Sequence, residues 1–136
     1  MAAVAAALPP PQLLDPLALA DFEAGLDGLH ENDLVDEAEV DSIVREAILH
    51  TIGETPWTDS KVASWTSHII EGTLKKLAAL QKPMKYVCKV GLTQRSGAGL
   101  HAACCSRWNP KTDGQLSVHW ESQTVLVLVT VFWVAL

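Results

Sequence analysis

The sequence of 136 residues predicts an α+β domain in which two helices pack on a four-stranded antiparallel sheet. Three observations support this prediction. Residues 36–52 and 60–82 carry apolar side chains at the 3.6-residue spacing of helices. The second half of the chain alternates apolar and polar residues in short runs that turn-forming residues divide. The final run, residues 125–134, is apolar on both of its faces, so each face needs a cover.

The first helix is predicted from one apolar stripe. Beginning at Val40, apolar side chains recur at i+3, i+4, i+7, i+8 and i+12, and the stripe ends at Ile52. Gly53 follows at the place where a helix commonly ends in a left-handed residue. Acidic residues are concentrated in the first turn, where they suit the positive end of the helix dipole. The helix is therefore expected to begin near Asp36.

The second helix is predicted from a wider apolar face. Three residues before it can act as its N-cap, namely Thr58, Asp59 and Ser60. Pro83 marks its end. Two such helices joined by a short loop form a hairpin that must cover a sheet or another helix pair. The apolar face of the second helix consists of Val62, Trp65, Ile69, Ile70, Leu74, Leu77 and Leu80.

Four strands are predicted after the helices, at residues 85–93, 100–108, 115–121 and 125–134. Gly97-Ala98-Gly99 forms a flexible turn before the second strand, and Asn-Pro and Asp-Gly pairs divide the second strand from the third. Two helices can cover only one face of the doubly apolar last strand. A partner chain is therefore expected on the other face.

The second predicted strand carries the candidate binding residues. Its small side chains leave the backbone N–H and C=O groups easy to approach, which is typical of strands that pair with another chain. We predict that it binds a peptide or a partner subunit through Leu100, His101, Ala102, Ala103, Cys104, Cys105, Ser106 and Arg107. Trp108 and Trp120 are candidate residues of the dimer interface, because aromatic side chains are enriched at interfaces.

Charge and composition divide the chain into a flexible acidic extension rich in Ala and Pro, residues 1–35, and a folded domain, residues 36–136. A short helix at residues 16–29 that docks on a partner is the alternative for part of the extension. The basic residues are dispersed, so nucleic-acid binding is not expected. The apolar C-terminal run of 12 residues is too short to cross a membrane as a helix, and no membrane partner is expected.

The cysteines and histidines do not form a pattern typical of a catalytic or metal site. Three cysteines, two of them adjacent, are not a disulfide framework. His101, Cys104, Cys105 and His119 lack the ligand spacing of a zinc site, so neither a metal nor another cofactor is expected. A small redox protein that uses the Cys105 thiol is an alternative function, although no signature of a nucleophile and its base accompanies that residue.

Several stretches together resemble the Tctex-type dynein light chains. The resemblance covers about residues 38–136 and departs from the family pattern at Cys104-Cys105-Ser106-Arg107, where more serine and an aromatic residue are expected. The matching stretches are Glu39-Val40 to Ile52-Gly53, Ser60-Lys61-Val62 with Trp65-Thr66, Lys82-Pro83 with Lys85-Tyr86, Gly97-Ala98-Gly99-Leu100-His101, Trp108, Thr112-Asp113-Gly114 and Trp120-Glu121.

The resemblance implies a non-catalytic, strand-swapped dimer in which the second strand crosses to the partner's sheet. It implies two partners: the dynein intermediate chain, which adds an extended segment to the sheet near the dimer interface, and either a second copy or a related Tctex-type light chain. The implied location is the cytoplasm and cytoskeleton, with the axoneme of a cilium or flagellum as a specialised site. A cargo adaptor that acts independently of dynein is the alternative.

Overall fold

The structure, a computed structural model, describes residues 29–136. The predictions made for the preceding residues lie outside the described part of the chain. The described elements are two helices followed by three strands: α1 (Glu37–Thr51), α2 (Val62–Ala79), β1 (Met84–Gln94), β2 (Gly114–Glu121) and β3 (Val125–Ala135). The α+β class with two helices and an antiparallel sheet is confirmed.

Helix α1 has the boundaries that its sequence predicts. The Asp36 carboxylate accepts a hydrogen bond from the Ala38 amide at 3.0 Å and caps the helix. Gly53 follows the helix with a φ of +54°, in the left-handed region that glycine adopts without strain. The predicted stripe is buried, with Val40, Val44 and Ile48 fully inaccessible to solvent.

Helix α2 begins differently from the prediction, because its N-cap is Lys61 and no side chain caps it. A single 3-10 turn, Asp59–Lys61, comes first. The Asp59 carboxylate instead accepts a hydrogen bond from Trp57 Nε1 at 2.7 Å. The Thr58 hydroxyl donates to the Pro56 carbonyl at 3.0 Å. The side chains of two of the three predicted caps are therefore bound to the loop before the helix.

The sheet is antiparallel and has the order β1-β3-β2, which makes β3 its central strand. On one face, Val127, Val129 and Val131 are fully buried, within the core that the two helices share with the sheet. Leu128, Thr130 and Phe132 alternate with them and lie on the opposite face, which we call the outer face. The helices thus cover one side of the sheet, as the sequence predicts.

The second predicted strand is not a strand within the single chain. Residues 98–107 belong to no ladder, so the sheet of the described residues has three strands where four are predicted. The turn that follows gives the physical reason. Asp113 donates its amide to the Asn109 carbonyl at 2.9 Å, and its carboxylate accepts the Ala135 amide at 2.8 Å. This turn leads the chain to the outer face instead of along the edge of β2.

The two helices lie close together where small residues meet. A Cβ built on Gly72 of α2 would lie 3.7 Å from the Ala47 methyl group of α1, which is ordinary contact. Lys76 and Glu46 form an ion pair of 2.6 Å between the helices, and the Lys76 ammonium lowers the pKa of the Glu46 carboxyl. Neither of these two helices is long and apolar enough to cross a membrane.

Candidate strand-exchange site

The exposed segment, residues 100–107, is the first half of the candidate site. Seven of its eight residues are exposed and Ser106 is half-buried. No backbone hydrogen bond within the described residues involves this segment. Within residues 29–136 its only polar contacts are weak ones from side chains, at 3.7 Å from Cys104 Sγ and 3.5 Å from Ser106 Oγ to the Gln115 Oε1 atom. The main chain of the segment therefore has its hydrogen-bonding groups available.

Trp108 anchors the C-terminal end of the exposed segment on the outer face. Its ring lies edge-on to Phe132 with a centroid distance of 6.1 Å and an interplanar angle of 70°. This is a favourable geometry for two aromatic rings. Trp120 is placed elsewhere, half-buried against the core beneath the sheet. The two tryptophans predicted for one interface thus lie on opposite faces of the sheet.

The outward edge of β2 is the second half of the candidate site. Ser122 donates its amide to the Val125 carbonyl at 2.8 Å, which identifies this pair as a hydrogen-bonded pair of the β2–β3 hairpin. Hydrogen-bonded and non-bonded pairs alternate along an antiparallel ladder. The backbone groups that point away from β3 therefore belong to Gln115, Ser117, His119 and Glu121. We call this row the open β2 edge.

Arg45 of α1 reaches the open β2 edge. Its Nη1 atom lies 3.5 Å from the His119 carbonyl oxygen, and its Nε atom is held 2.9 Å from the Asp41 carboxylate. The contact agrees with the pairing argument, because the His119 carbonyl must point away from β3 to be reached. His119 Nε2 also lies 3.8 Å from the Glu121 carboxylate. Charged groups are thus concentrated at one end of this edge.

The outer face beside the exposed segment is partly apolar. Val87 is 59% exposed, and Leu128, Phe132 and Val134 are half-buried on the same face. Val87 is paired with Phe132 across the β1–β3 ladder, so their side chains are neighbours. The predicted need for a cover on the second face of the last strand therefore persists in the single chain.

Known proteins similar to this chain identify its family. A sequence profile of the Tctex-1 family matches residues 34–134. The chain belongs to the Tctex-1 family. Among similar proteins, a Drosophila melanogaster protein named dynein light chain Tctex-type is 40% identical over 97 residues, which is 71% of this chain and 87% of the relative. The Canis lupus familiaris dynein light chain Tctex-type 3 is 34% identical over 98 residues, which is 72% of this chain and 84% of the relative.

A third relative of the same kind comes from Dictyostelium discoideum. The Dictyostelium discoideum dynein light chain Tctex-type is 33% identical over 95 residues, covering 69% of this chain and 86% of the relative. The stretch that matches the Tctex-1 profile includes both helices, the sheet and the exposed segment. The resemblance stated from the sequence motifs is therefore confirmed.

The three cysteines differ in accessibility. Cys88 is half-buried in β1, and burial raises the pKa of its thiol to about 11. Cys104 and Cys105 are exposed in the segment. Across residues 29–136 no group of three or more metal-ligating side chains is close enough to hold an ion. His101 and Cys105 do not form part of such a group.

The sequence pattern predicts the exposed segment but not the open β2 edge. The third predicted strand contains the residues of the open β2 edge, but no sequence pattern marks Arg45 as a residue that reaches it. The tight turn at residues 121–125 indicates which residues of β2 bond to β3, so the residues whose backbone groups point away from β3 could have been predicted. The position of Arg45 could not have been predicted, because it depends on how α1 crosses the sheet.

Proposed function

We propose that this chain is a dynein light chain, a non-catalytic subunit that dimerises and binds segments of the dynein intermediate chain. Membership of the Tctex-1 family and the names of the relatives support the assignment to dynein. One observation carries the binding role. The same chain has an exposed segment without a ladder and, in the eight-residue strand β2, an edge without a partner strand in the described sheet.

The dimer forms by exchange of the exposed segment. The segment of one subunit pairs with an open edge of the other subunit's sheet and satisfies the outward backbone groups of that edge. Each such hydrogen bond contributes about 0.5–1.5 kcal/mol net. The exchange also brings the partner subunit over the outer face, where Trp108 and the exposed Val87 become buried. The partner is a second copy or a related Tctex-type light chain.

The exchanged strand retains a second edge, and this edge receives the intermediate chain. Main-chain hydrogen bonds supply the affinity of strand addition, and alternate side chains supply the specificity. Ala102 and Ala103 leave the backbone accessible, while Arg107 replaces the aromatic residue expected before Trp108 and alters the side-chain preference. Two such sites in one dimer raise the avidity for an intermediate-chain pair.

The proposed role requires no cofactor, nucleic acid or membrane. Its location follows from its partner, so the proposed location is with dynein on microtubules of the cytoplasm and cytoskeleton. The axoneme of a cilium or flagellum is a specialised location of the same kind. The candidate site uses backbone hydrogen bonds and an apolar surface, which provide binding but no chemical step.

Two neighbouring proline substitutions test the two edges of the exchanged strand separately. Successive residues of a strand direct their N–H groups to opposite edges. Ala102→Pro and Ala103→Pro therefore each remove one N–H group, one from the edge that faces the partner's sheet and the other from the edge that faces the intermediate chain. We expect one variant to shift the mass measured by light scattering toward the monomer. The other should remain dimeric and bind an intermediate-chain peptide about tenfold more weakly.

Ala98→Pro is the matched control, because Ala98 lies in the exposed loop before the segment and belongs to no strand. It should change neither the mass nor the peptide affinity. If both segment variants behaved like this control in both measurements, the exchanged strand would be assigned wrongly. Purification of the chain with its bound partners, identified by mass spectrometry, separates the dynein role from that of an independent adaptor, since only the former recovers an intermediate chain.

A further inference from the structure

Arg45 lies on α1, but its guanidinium group reaches the open β2 edge of the sheet. The Nη1 atom donates to the His119 carbonyl at 3.5 Å. This carbonyl points away from β3, so the guanidinium group lies beside the edge. A strand added to this edge would run about 4.8 Å from β2 and bring a donor N–H to about 2.9 Å from the same oxygen. Arg45 therefore competes with an added strand at His119.

Asp41 holds the Arg45 side chain in this position. The Asp41 carboxylate, one helical turn earlier on α1, accepts a hydrogen bond from Arg45 Nε at 2.9 Å. The contact uses Nε and leaves Nη1 for the His119 carbonyl. Both side chains are partly exposed, at 45% for Arg45 and 39% for Asp41. The ion pair therefore restricts the guanidinium group at a place where an incoming strand would meet it.

The C-terminal half of the open β2 edge, His119 and Glu121, carries charge that disfavours an added strand. A strand that covered this half would remove water from the Arg45 guanidinium group, and burial of a charge is costly. His119 Nε2 lies 3.8 Å from the Glu121 carboxylate, so a second polar pair is at the same end. Charged side chains at a sheet edge are a common means of preventing unwanted pairing. This half of the edge therefore has the features of a protected edge.

The N-terminal half of the open β2 edge, Gln115 and Ser117, has uncharged contacts. The Gln115 side chain accepts the weak contacts from Cys104 and Ser106, at 3.7 and 3.5 Å. The Ser117 and Thr130 hydroxyl groups share a hydrogen bond of 3.0 Å. Covering these neutral groups dehydrates no charge. The two halves of the same edge therefore differ in how readily they accept a strand.

The sequence of β2 itself does not exclude a second copy of the strand. In an antiparallel pair of β2 strands centred on Val118, Ser117 of each chain lies opposite His119 of the other. Gln115 likewise lies opposite Glu121. Neither pairing sets like charges against each other, which is the arrangement that destabilises a strand pair. The obstacle to pairing is therefore the side chain that α1 supplies.

We propose that Arg45 blocks strand addition by a second copy of this chain at the C-terminal half of the open β2 edge. Asp41 is the positioning residue that keeps the guanidinium group at the His119 carbonyl. An added strand can then pair with Gln115 and Ser117 but not beyond them. The block limits how copies of this chain associate, and it does not depend on which edge of the sheet receives the exchanged segment.

Sedimentation equilibrium of the full-length Arg45→Ala variant tests the block. Alanine favours the helix, and an exposed ion pair one turn apart contributes little stability, so the variant should fold. We expect it to associate at about tenfold lower concentration than the unsubstituted chain, because the backbone groups of His119 become available to a second copy. The matched control is Lys75→Ala, which removes an exposed charge from α2 and should leave association unchanged. Equal association of Arg45→Ala and the unsubstituted chain would overturn the proposal.

Hydrogen exchange locates the new contact. The His119 amide points away from β3 and should exchange rapidly in the unsubstituted chain. In Arg45→Ala, at a concentration where the variant associates further, we expect this amide to be protected at least about tenfold. A protected His119 amide in the unsubstituted chain would mean that a strand covers this half of the edge despite Arg45, and it would reject the block.

A second substitution tests whether the gained association uses the β2 edge. Proline is tolerated on an edge strand where its missing N–H would face outward. Arg45→Ala/His119→Pro should therefore fold and return to the association of the unsubstituted chain. If the double variant still associated like Arg45→Ala, the new contact would lie elsewhere and the proposal would fail.

Asp41→Asn tests the positioning role separately. The variant keeps Arg45 but removes the charge that holds Nε, so we expect association intermediate between that of the unsubstituted chain and that of Arg45→Ala. An Asp41→Asn variant indistinguishable from the unsubstituted chain would reject the role of Asp41. None of these outcomes bears on the dynein role, which co-purification with an intermediate chain tests.

Discussion

Gly114 offers a sharp test of the packing at the start of the open β2 edge. A Cβ built on Gly114 would lie 2.5 Å from Trp133 Cε2 and 2.8 Å from Trp133 Nε1, too close for any real contact. The Trp133 side chain is only 4% exposed, so the ring has little free space into which it can move. Overpacking of a well-packed core costs about 1–3 kcal/mol. We therefore expect Gly114→Ala to lower the free energy of unfolding by about 2 kcal/mol.

Urea denaturation followed by tryptophan fluorescence measures this change. All variants must be compared at one protein concentration, because dimerisation contributes to the measured stability. Gly99→Ala is the matched control, since a Cβ at Gly99 meets no atom within 4 Å. The double variant Gly114→Ala/Trp133→Leu should show a coupling energy of about 1 kcal/mol, as the smaller side chain relieves the clash. A free energy for Gly114→Ala within about 0.5 kcal/mol of the unsubstituted protein would refute the packing argument.

Two further predictions concern the thiols and a buried hydroxyl. At pH 8, alkylation monitored by mass spectrometry should modify the exposed Cys104 and Cys105 first, and dimerisation should slow both. Cys88 should react slowly throughout, because a pKa of about 11 leaves only about one thiolate in a thousand at that pH, and fast labelling of Cys88 would contradict its burial. Thr73 is fully buried, and its hydroxyl has no hydrogen-bond partner among the described residues. Thr73→Val should therefore raise the free energy of unfolding by about 1 kcal/mol, whereas Thr73→Ser should lower it, and a destabilised Val variant would indicate an unseen partner for the hydroxyl.

Local sequence patterns predicted the elements whose stability depends on one buried face. The stripe that starts at Val40 gave α1 its boundaries, since every apolar position of that stripe is needed to cover the sheet. Asp113-Gly114 and the run of residues 121–125 located both ends of β2. The start of helix α2 was less well predicted, because the side chains of Thr58 and Asp59 form hydrogen bonds with the preceding loop. The preference of these residue types for N-cap positions does not show that a loop also competes for their side chains.

The exposed segment shows why strand pairing needs more than propensity. Residues 100–107 have a strand-like sequence, yet a strand requires a neighbouring edge, and the turn held by Asp113 leads this segment away from β2. Trp108 and Trp120 were grouped because aromatic side chains are enriched at interfaces. Their placement on opposite faces follows from the register of β2 and from the position of Phe132, which are properties of the assembled sheet.

Periodicity, turn residues and motifs are local properties, so the α+β class, the Tctex-1 family and the segment with an available backbone could all be predicted from the sequence. The backbone groups that stay unpaired could not be predicted in this way, because they depend on how the strands pair in the folded sheet. Ladder alternation, set by bonds such as Ser122 to Val125 and Arg95 to Thr124, determines the outward residues of β2 and β1. Those two open edges are long-range consequences of folding, since an edge exists only after the central strand β3 has paired with β1 and β2.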